Sequence, residues 1–253
     1  MKGLILAAGR GKRLDHETDS RNKCMLELAG KPVIEYSLEY ATRCDLTEIV
    51  IVVGYGAEEV INAFGNRYGH GPIRYVIQRE QRGLVDAIEA SKEAIGNDDF
   101  MLFLGDEVLV NPRHTEMVNK FKEEELFGVC GVVVERDPTR ISRTYSVIQD
   151  DRCTIHRLIE KPRKPVKNNL MGTGNCIFRS EILSYIDETP IDHHRGEKEL
   201  PDLIQCAVDE DNIVKSFVLG DMYFNINSPE DIQEARARLL SATEESRTGN
   251  KVR

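Results

Sequence analysis

Four short strand-like runs, each followed by a stretch of helical periodicity, constrain this chain more than any other feature. They cover residues 3–8, 49–53, 73–78 and 100–104. All are too short for a buried helix, and the second is entirely Ile and Val, which suits a strand covered on both faces. Pro32 opens a segment in which Ile34, Leu38 and Ala41 recur at i, i+4 and i+7. Residues 57–64 read as a second helix. Gly83 leads into a third, with Leu84, Ala87, Ile88 and Ala94 on one side. This alternation predicts an α/β protein, a Rossmann-like three-layer α/β/α fold with a mostly parallel mixed sheet. Ligands of such sheets sit beyond the carboxyl ends of the strands.

The rhythm changes after Asp106. A helix is expected at 114–125 and a strand at 129–135. Shorter strands follow at 145–149, 155–160, 174–178 and 214–219, with helices at 180–186, at 200–208 and from Pro229. Strands with fewer helices between them predict antiparallel additions to the same sheet. No Pro/Gly/Ser-rich linker divides the chain, so residues 1–240 read as one domain. Residues 241–253 are polar and aperiodic and read as a frayed or disordered tail.

Composition narrows the partners. The 253 residues carry a net charge of −9, which argues against a nucleic-acid-binding face. Six cysteines without a Cys-x-x-Cys pair read as reduced core residues, with no zinc site. No apolar run approaches a membrane span, and Met1 leads straight into the first strand. The expectation is a cytoplasmic protein with no signal peptide and no membrane partner.

Within this acidic chain the first strand breaks into Gly9-Arg10-Gly11-Lys12-Arg13, and Lys23 follows a polar stretch. Glycines let a backbone approach an anion, and fixed cations neutralise it, so the loop suits phosphate. It is not a P-loop, because Arg13 follows Gly11-Lys12 where Ser or Thr is needed. It is not a dinucleotide fingerprint either, because Leu14 stands where the third glycine belongs.

LAAGRGKRL followed by Lys23 resembles the signature of the nucleoside-triphosphate transferases acting on sugar-1-phosphates, LAAG-x-G-x-R-L, a variable loop, then Pro-Lys. Asn22 stands where proline is commonest. QREQRGLVDAI resembles the family's Q-x-x-x-x-G-L/T-x-x-A-I segment, Glu160-Lys161-Pro162 its E-K-P, and GTGNCIF its sugar-facing glycine strand. The resemblance runs from Met1 to about Ala235.

The resemblance implies roles. The backbone from Leu6, Ala7 and Ala8 through Gly9 and Gly11 would bind the nucleotide, and Arg13 and Lys23 would steady the triphosphate. Gln78 would read a pyrimidine edge, and Gly83 would let the base approach. Glu160 would hold sugar hydroxyls, Lys161 the sugar phosphate, and Gly174 with Asn175 the sugar ring. Asp106 ends an apolar strand, where magnesium (Mg2+) takes oxygen ligands. Leu219-Gly220-Asp221 repeats the same tripeptide and reads as a plain turn. Relatives often place a second metal-binding aspartate at the position of Asn225. Here Asn227 is expected to supply an amide oxygen instead. His193-His194 reads as a solvated loop.

The expected reaction is NTP plus sugar-1-phosphate giving NDP-sugar and pyrophosphate. Two other readings stay open: a cytidylyltransferase acting on another phosphorylated alcohol or a phosphonate, and a catalytically weak nucleotide-sensing relative. The base, the sugar and homo-oligomer formation stay open as well.

Overall fold

The computed structural model describes residues 1–11, 22–164 and 168–249, with side chains as far as 241. The first half contains β1 (Lys2–Ala7), β2 (Glu27–Leu28), β3 (Lys31–Pro32), α1 (Val33–Thr42), β4 (Ile49–Val53), α2 (Ala57–Phe64), β5 (Arg67–Tyr68), β6 (Gly71–Ile77), α3 (Leu84–Ala90), α4 (Lys92–Ile95) and β7 (Phe100–Leu104). Then come β8 (Glu107–Val110), α5 (His114–Glu123), β9 (Gly128–Val134), α6 (Pro138–Ile141), β10 (Tyr145–Gln149), β11 (Ile155–Glu160) and β12 (Leu170–Phe178). The chain continues through α7 (Leu200–Asp209), β13 (Val214–Val218), β14 (Met222–Asn225) and α8 (Pro229–Gly249).

Strands β7, β1, β4 and β6 lie side by side and parallel, as the alternation predicts. Their side chains point alternately to two cores, which is what two helical layers require. Ile5, Ala7, Ile49, Ile51 and Val53 enter one core, while Leu4, Leu6, Ala8, Val50 and Val52 enter the other. The second half extends this sheet through β12, which is antiparallel to both β7 and β9. Cys176 faces Leu102 of β7 across one edge and Cys130 of β9 across the other. β10 and β11 add an antiparallel hairpin. β13 departs from the expectation, because it runs parallel to β9.

Three local differences have local causes. The third helix stops at Ala90, where the Ser91 hydroxyl donates to Ile88 O at 2.6 Å and starts a separate turn. The segment Ser180–Ile186 is a 3-10 helix. α8 continues to Gly249, past the point where its apolar periodicity ends and a tail was expected. Ala, Glu and Arg in that stretch have high intrinsic helix propensity.

The difference that matters most is a ladder absent from the sequence reading. β8 and β14 form their own two-stranded antiparallel sheet, with Asn225 opposite Glu107. This pair brings the residue after Asp106 beside the residues before α8. Tyr40 of α1 fixes β8: its hydroxyl donates to Leu109 O and accepts from Leu109 N, each at 3.0 Å. The second Leu-Gly-Asp is a turn, in which Asp221 Oδ2 accepts from Asn111 Nδ2 at 2.7 Å.

Candidate active site

The carboxyl ends of β1, β6 and β7 open on one side of the sheet, and the predicted residues follow them directly. Past β1, Gly9 is exposed with open space around it. Gly11 has a φ of +65°, and a Cβ there would stand 2.9 Å from Lys23 Cβ, so both its conformation and its neighbour require glycine. The carbonyls of Leu6, Ala7 and Ala8 accept from Gly105 N, Asn22 Nδ2 and Tyr55 N, which ties this turn to its neighbours. Arg13 lies outside the described residues.

Lys23 crosses the cleft. Its ammonium donates to Asp106 Oδ2, and Asn227 Oδ1 lies 3.1 Å from the same nitrogen. Asp106 follows β7 and Asn227 precedes α8, so three distant segments meet at one positive charge. Asn225 has a definite task there. Its Oδ1 accepts from Asn227 Nδ2 at 2.6 Å, which turns the Asn227 carbonyl oxygen toward Lys23. Asn227 N donates to Asp231 Oδ2 at 2.9 Å, and Asp231 N donates to Ser228 Oγ at 3.3 Å. The first turn of α8 thereby sets the position of Asn227. Cys24, beside them, is inert: burial, then the Asp106 charge, push its thiol up to about 12.

Beneath this triad lies a buried polar network built around Glu107, which is 2% exposed. Its carboxylate accepts from Gly174 N at 3.0 and 2.9 Å, from Asn175 Nδ2 at 2.8 Å and from the Tyr223 hydroxyl at 2.6 Å. Burial first, and the Asp106 charge second, push the Glu107 carboxyl up to about 8, while the donors from Tyr223, Gly174 and Asn175 pull the other way. The network ties β8, β12 and β14 together just below Asp106. It holds the irregularity of β12, where pairing with β9 slips between Gly172 and Cys176.

Asn175 was expected to bind substrate together with Gly174. It is buried, with Nδ2 on Glu107 and Oδ1 2.9 Å from His114 Nε2, so both amide ends support the site from below. Gly174 is confined by its neighbours, since a Cβ there would lie 2.3 Å from Leu104 Cγ. Gln78 is also more committed than its expected role suggests. Its Nε2 donates to Asp86 Oδ2 at 2.6 Å and Gly83 O at 3.2 Å, which uses both amide protons and leaves the carbonyl as the group on offer.

His114 completes the network. It stacks on Tyr40 with ring centroids 4.6 Å apart. Burial holds its imidazole down to about 4. The unfolded chain protonates this group near 6.5 and the folded one only near 4, so stability is fully present above pH 6.5 and drains away as pH falls toward 4. The loss is on the order of 3 kcal/mol. His114→Gln is expected to flatten the pH dependence of the denaturation midpoint across that window. An unchanged slope would remove His114 as the cause.

On the far side, Glu160 ends β11 and pairs with Lys161 at 2.7 Å. A cavity of about 500 Å³ is lined by Lys161, Arg143, Met171, Tyr223, Asn225 and Asn227, so Lys161 shares a space with the Asn227 end of the triad. The loop after β12 and the 3-10 helix is closer to the site than its sequence suggested. Arg195 approaches Glu160 at 3.9 Å, and Glu197 Cβ lies 2.9 Å from where a Gly83 Cβ would be. His193 and His194 are exposed.

Sequence reasoning missed Glu107, Tyr223 and His114. Its only trace of Glu107 was a carboxylate inside an otherwise apolar run, and that of Asn22 was its place before Lys23. All six cysteines are free. Among the described residues no helix is long and apolar enough to cross a membrane.

Known proteins share this arrangement of chain. The family described as nucleotidyl transferase matches residues 2–241. A UTP–glucose-1-phosphate uridylyltransferase of Haloferax volcanii is 31% identical over 243 residues, covering 96% of this chain and 98% of the relative. A glucose-1-phosphate thymidylyltransferase of Streptomyces griseus is 30% identical, covering 96% of this chain and 67% of the relative. The chain spans 66% of a low-salt glycan biosynthesis nucleotidyltransferase of the same Haloferax, at 31% identity. A solved UDP-glucose pyrophosphorylase complexed with UDP-glucose superposes with a TM-score of 0.84 at 21% identity, covering 95% of this chain and 98% of that one, which shows the shared fold. With a family match along nearly its whole length and relatives at 30% identity or more over most of it, the chain belongs to the sugar-1-phosphate nucleotidyltransferases of the nucleotidyl transferase family.

Proposed function

We propose that this protein joins a pyrimidine nucleoside triphosphate to a sugar-1-phosphate, giving an NDP-sugar and pyrophosphate. One observation carries the reading: the Lys23 ammonium is shared by Asp106 Oδ2 and Asn227 Oδ1, and the Lys23 side chain packs beside Gly11 in the glycine turn after β1. Nucleotidyl transfer asks little covalent chemistry of a protein. It asks for positioning and for charge placed where charge develops.

Lys23, and Arg13 by resemblance, would neutralise the triphosphate laid along Gly9 and Gly11. Gln78 would accept from the base through its free carbonyl. Lys161, with Glu160 beside it, would orient the sugar phosphate toward the α-phosphorus from the side opposite the leaving pyrophosphate. No general base is required, because a phosphate monoester is largely ionised at neutral pH.

Magnesium fits the donor set. Asp106 and Asn227 present two hard oxygens that already hold a cationic nitrogen between them, and magnesium favours carboxylate and amide oxygen over nitrogen or sulfur. These two residues would hold the ion, which supplies charge neutralisation at the α-phosphate when bound.

The test is pyrophosphate release from pure protein across a matrix of UTP, dTTP, CTP, GTP and ATP against hexose-1-phosphates and other phosphorylated alcohols. The expected result is release with a pyrimidine nucleotide and a hexose-1-phosphate, abolished by a chelator. Silence with every pair, while NTP still binds, would replace the reading with nucleotide sensing.

A further inference from the structure

Asn22 is wholly buried, and each of its polar atoms is engaged. Its N donates to Glu59 Oε2 at 3.0 Å, and its Nδ2 to Ala7 O at 2.8 Å and Tyr55 O at 2.7 Å. Its Oδ1 accepts from Cys24 N at 2.8 Å, and its carbonyl from Met25 N at 2.9 Å. One residue is thus bound to the end of β1, to the turn after β4, to α2 and to the 3-10 turn Lys23–Met25 that it caps. The next residue is Lys23, whose ammonium must reach across to Asp106 and Asn227. Burying so many polar groups is worthwhile only when all are satisfied, and the return is a single well-defined geometry.

The backbone of Asn22 sits at φ −67° and ψ 133°. This φ is the one a proline ring imposes, and this ψ is open to proline as well. The hydrogen bonds therefore hold by side-chain chemistry a conformation that proline would hold covalently. We propose that Asn22 is a positioning residue. It fixes the backbone at Lys23 so that the ammonium is delivered to Asp106 and Asn227 before substrate arrives. The kinetic part of this proposal rests on the proposed nucleotidyl transfer, while the geometric part does not.

Two variants separate positioning from simple core filling. Asn22→Ala removes the side-chain bonds and frees φ. Asn22→Pro removes the same bonds, and the N–H to Glu59 besides, but keeps φ near −65°. If hydrogen bonding alone mattered, proline would be no better than alanine. Under the proposal, Asn22→Ala lowers kcat by about 10- to 100-fold with KM for both substrates little changed, the pattern expected when a reacting group is misplaced. Asn22→Pro recovers kcat to within about 3-fold of the unsubstituted protein, because the ring restores the backbone angle.

A second readout needs no activity. Brief acetylation with acetic anhydride, followed by peptide mass spectrometry, reports how firmly the Lys23 amine is held. Lys23 is expected to label slowly in the unsubstituted protein and in Asn22→Pro, and faster in Asn22→Ala. Should Asn22→Ala fail to fold, Asn22→Asp takes its place, since it keeps the acceptor for Cys24 N but loses both donors. Unchanged labelling and turnover in the alanine or aspartate variant would overturn the proposal, as would a folded proline variant no better than either in both readouts. If the unsubstituted protein turns over no substrate pair, the transfer reading falls and the labelling comparison alone decides the role of Asn22.

Discussion

Lys23→Ala is expected to lower turnover by at least about 10², the usual cost of removing one preorganised charge from a reacting centre. The side chain is largely buried and serves two partners at once, Asp106 and Asn227. Alanine removes the charge and the bridge together. Substrate charge would then meet the Asp106 carboxylate without the Lys23 ammonium between them. Arginine is not expected to restore the rate, because a planar fork is longer and broader than the ammonium fitted between these two oxygens. Pyrophosphate release under saturating substrates is the measurement, with thermal unfolding alongside to confirm that the variant is folded. Near-normal turnover would take Lys23 out of the mechanism, and with it the observation on which the functional reading rests.

Glu107→Ala carries the largest expected loss of stability, about 2–4 kcal/mol. Its carboxylate serves Gly174 N, Asn175 Nδ2 and the Tyr223 hydroxyl inside the protein. Each donor left without a partner costs about 1–3 kcal/mol. Against this stands some relief, because burial disfavours the charge itself. The orphaned donors outnumber the one charge removed, so the net is destabilising. Glu107→Gln keeps the shape and one acceptor but turns an amide nitrogen toward other donors, and should fall between the two. Urea denaturation at fixed pH measures both. An alanine variant as stable as the unsubstituted protein would mean that β8, β12 and β14 hold together without this carboxylate. Because Gly174 and Asn225 sit on those strands, turnover is expected to fall with stability.

Much of the fold was legible because it depends on local patterns. Residues 49–53 are Ile and Val throughout, and such a run has one comfortable home, a strand buried on both faces. The turns after β1, β6 and β7 carry glycine and charge, so their place at strand ends could be read before the sheet was known. Lys23 was read as a triphosphate residue and Asp106 as a metal ligand, each from its place after a strand, and their side chains lie together.

Other elements were illegible for physical reasons. β8 and β14 are four residues each and pair across more than a hundred positions of chain, and no periodicity marks two such segments as partners. Asn175 was read as a substrate-binding residue because an amide suits both a ligand and a buried network, and its side chain is held by Glu107 and His114. Asn225 looked like a missing aspartate, when its place is to orient Asn227.

The order of apolar runs and helical stretches was enough to set the parallel core and the end of it that faces ligand, because side-chain period and strand length are local properties of the chain. The gathering of Asp106, Asn227 and Lys23 around one charge, and the carboxylate buried beneath them, came only with the tertiary structure. Hydrogen bonds between residues far apart in sequence leave no pattern in either neighbourhood, since each partner is chosen by the shape of the whole.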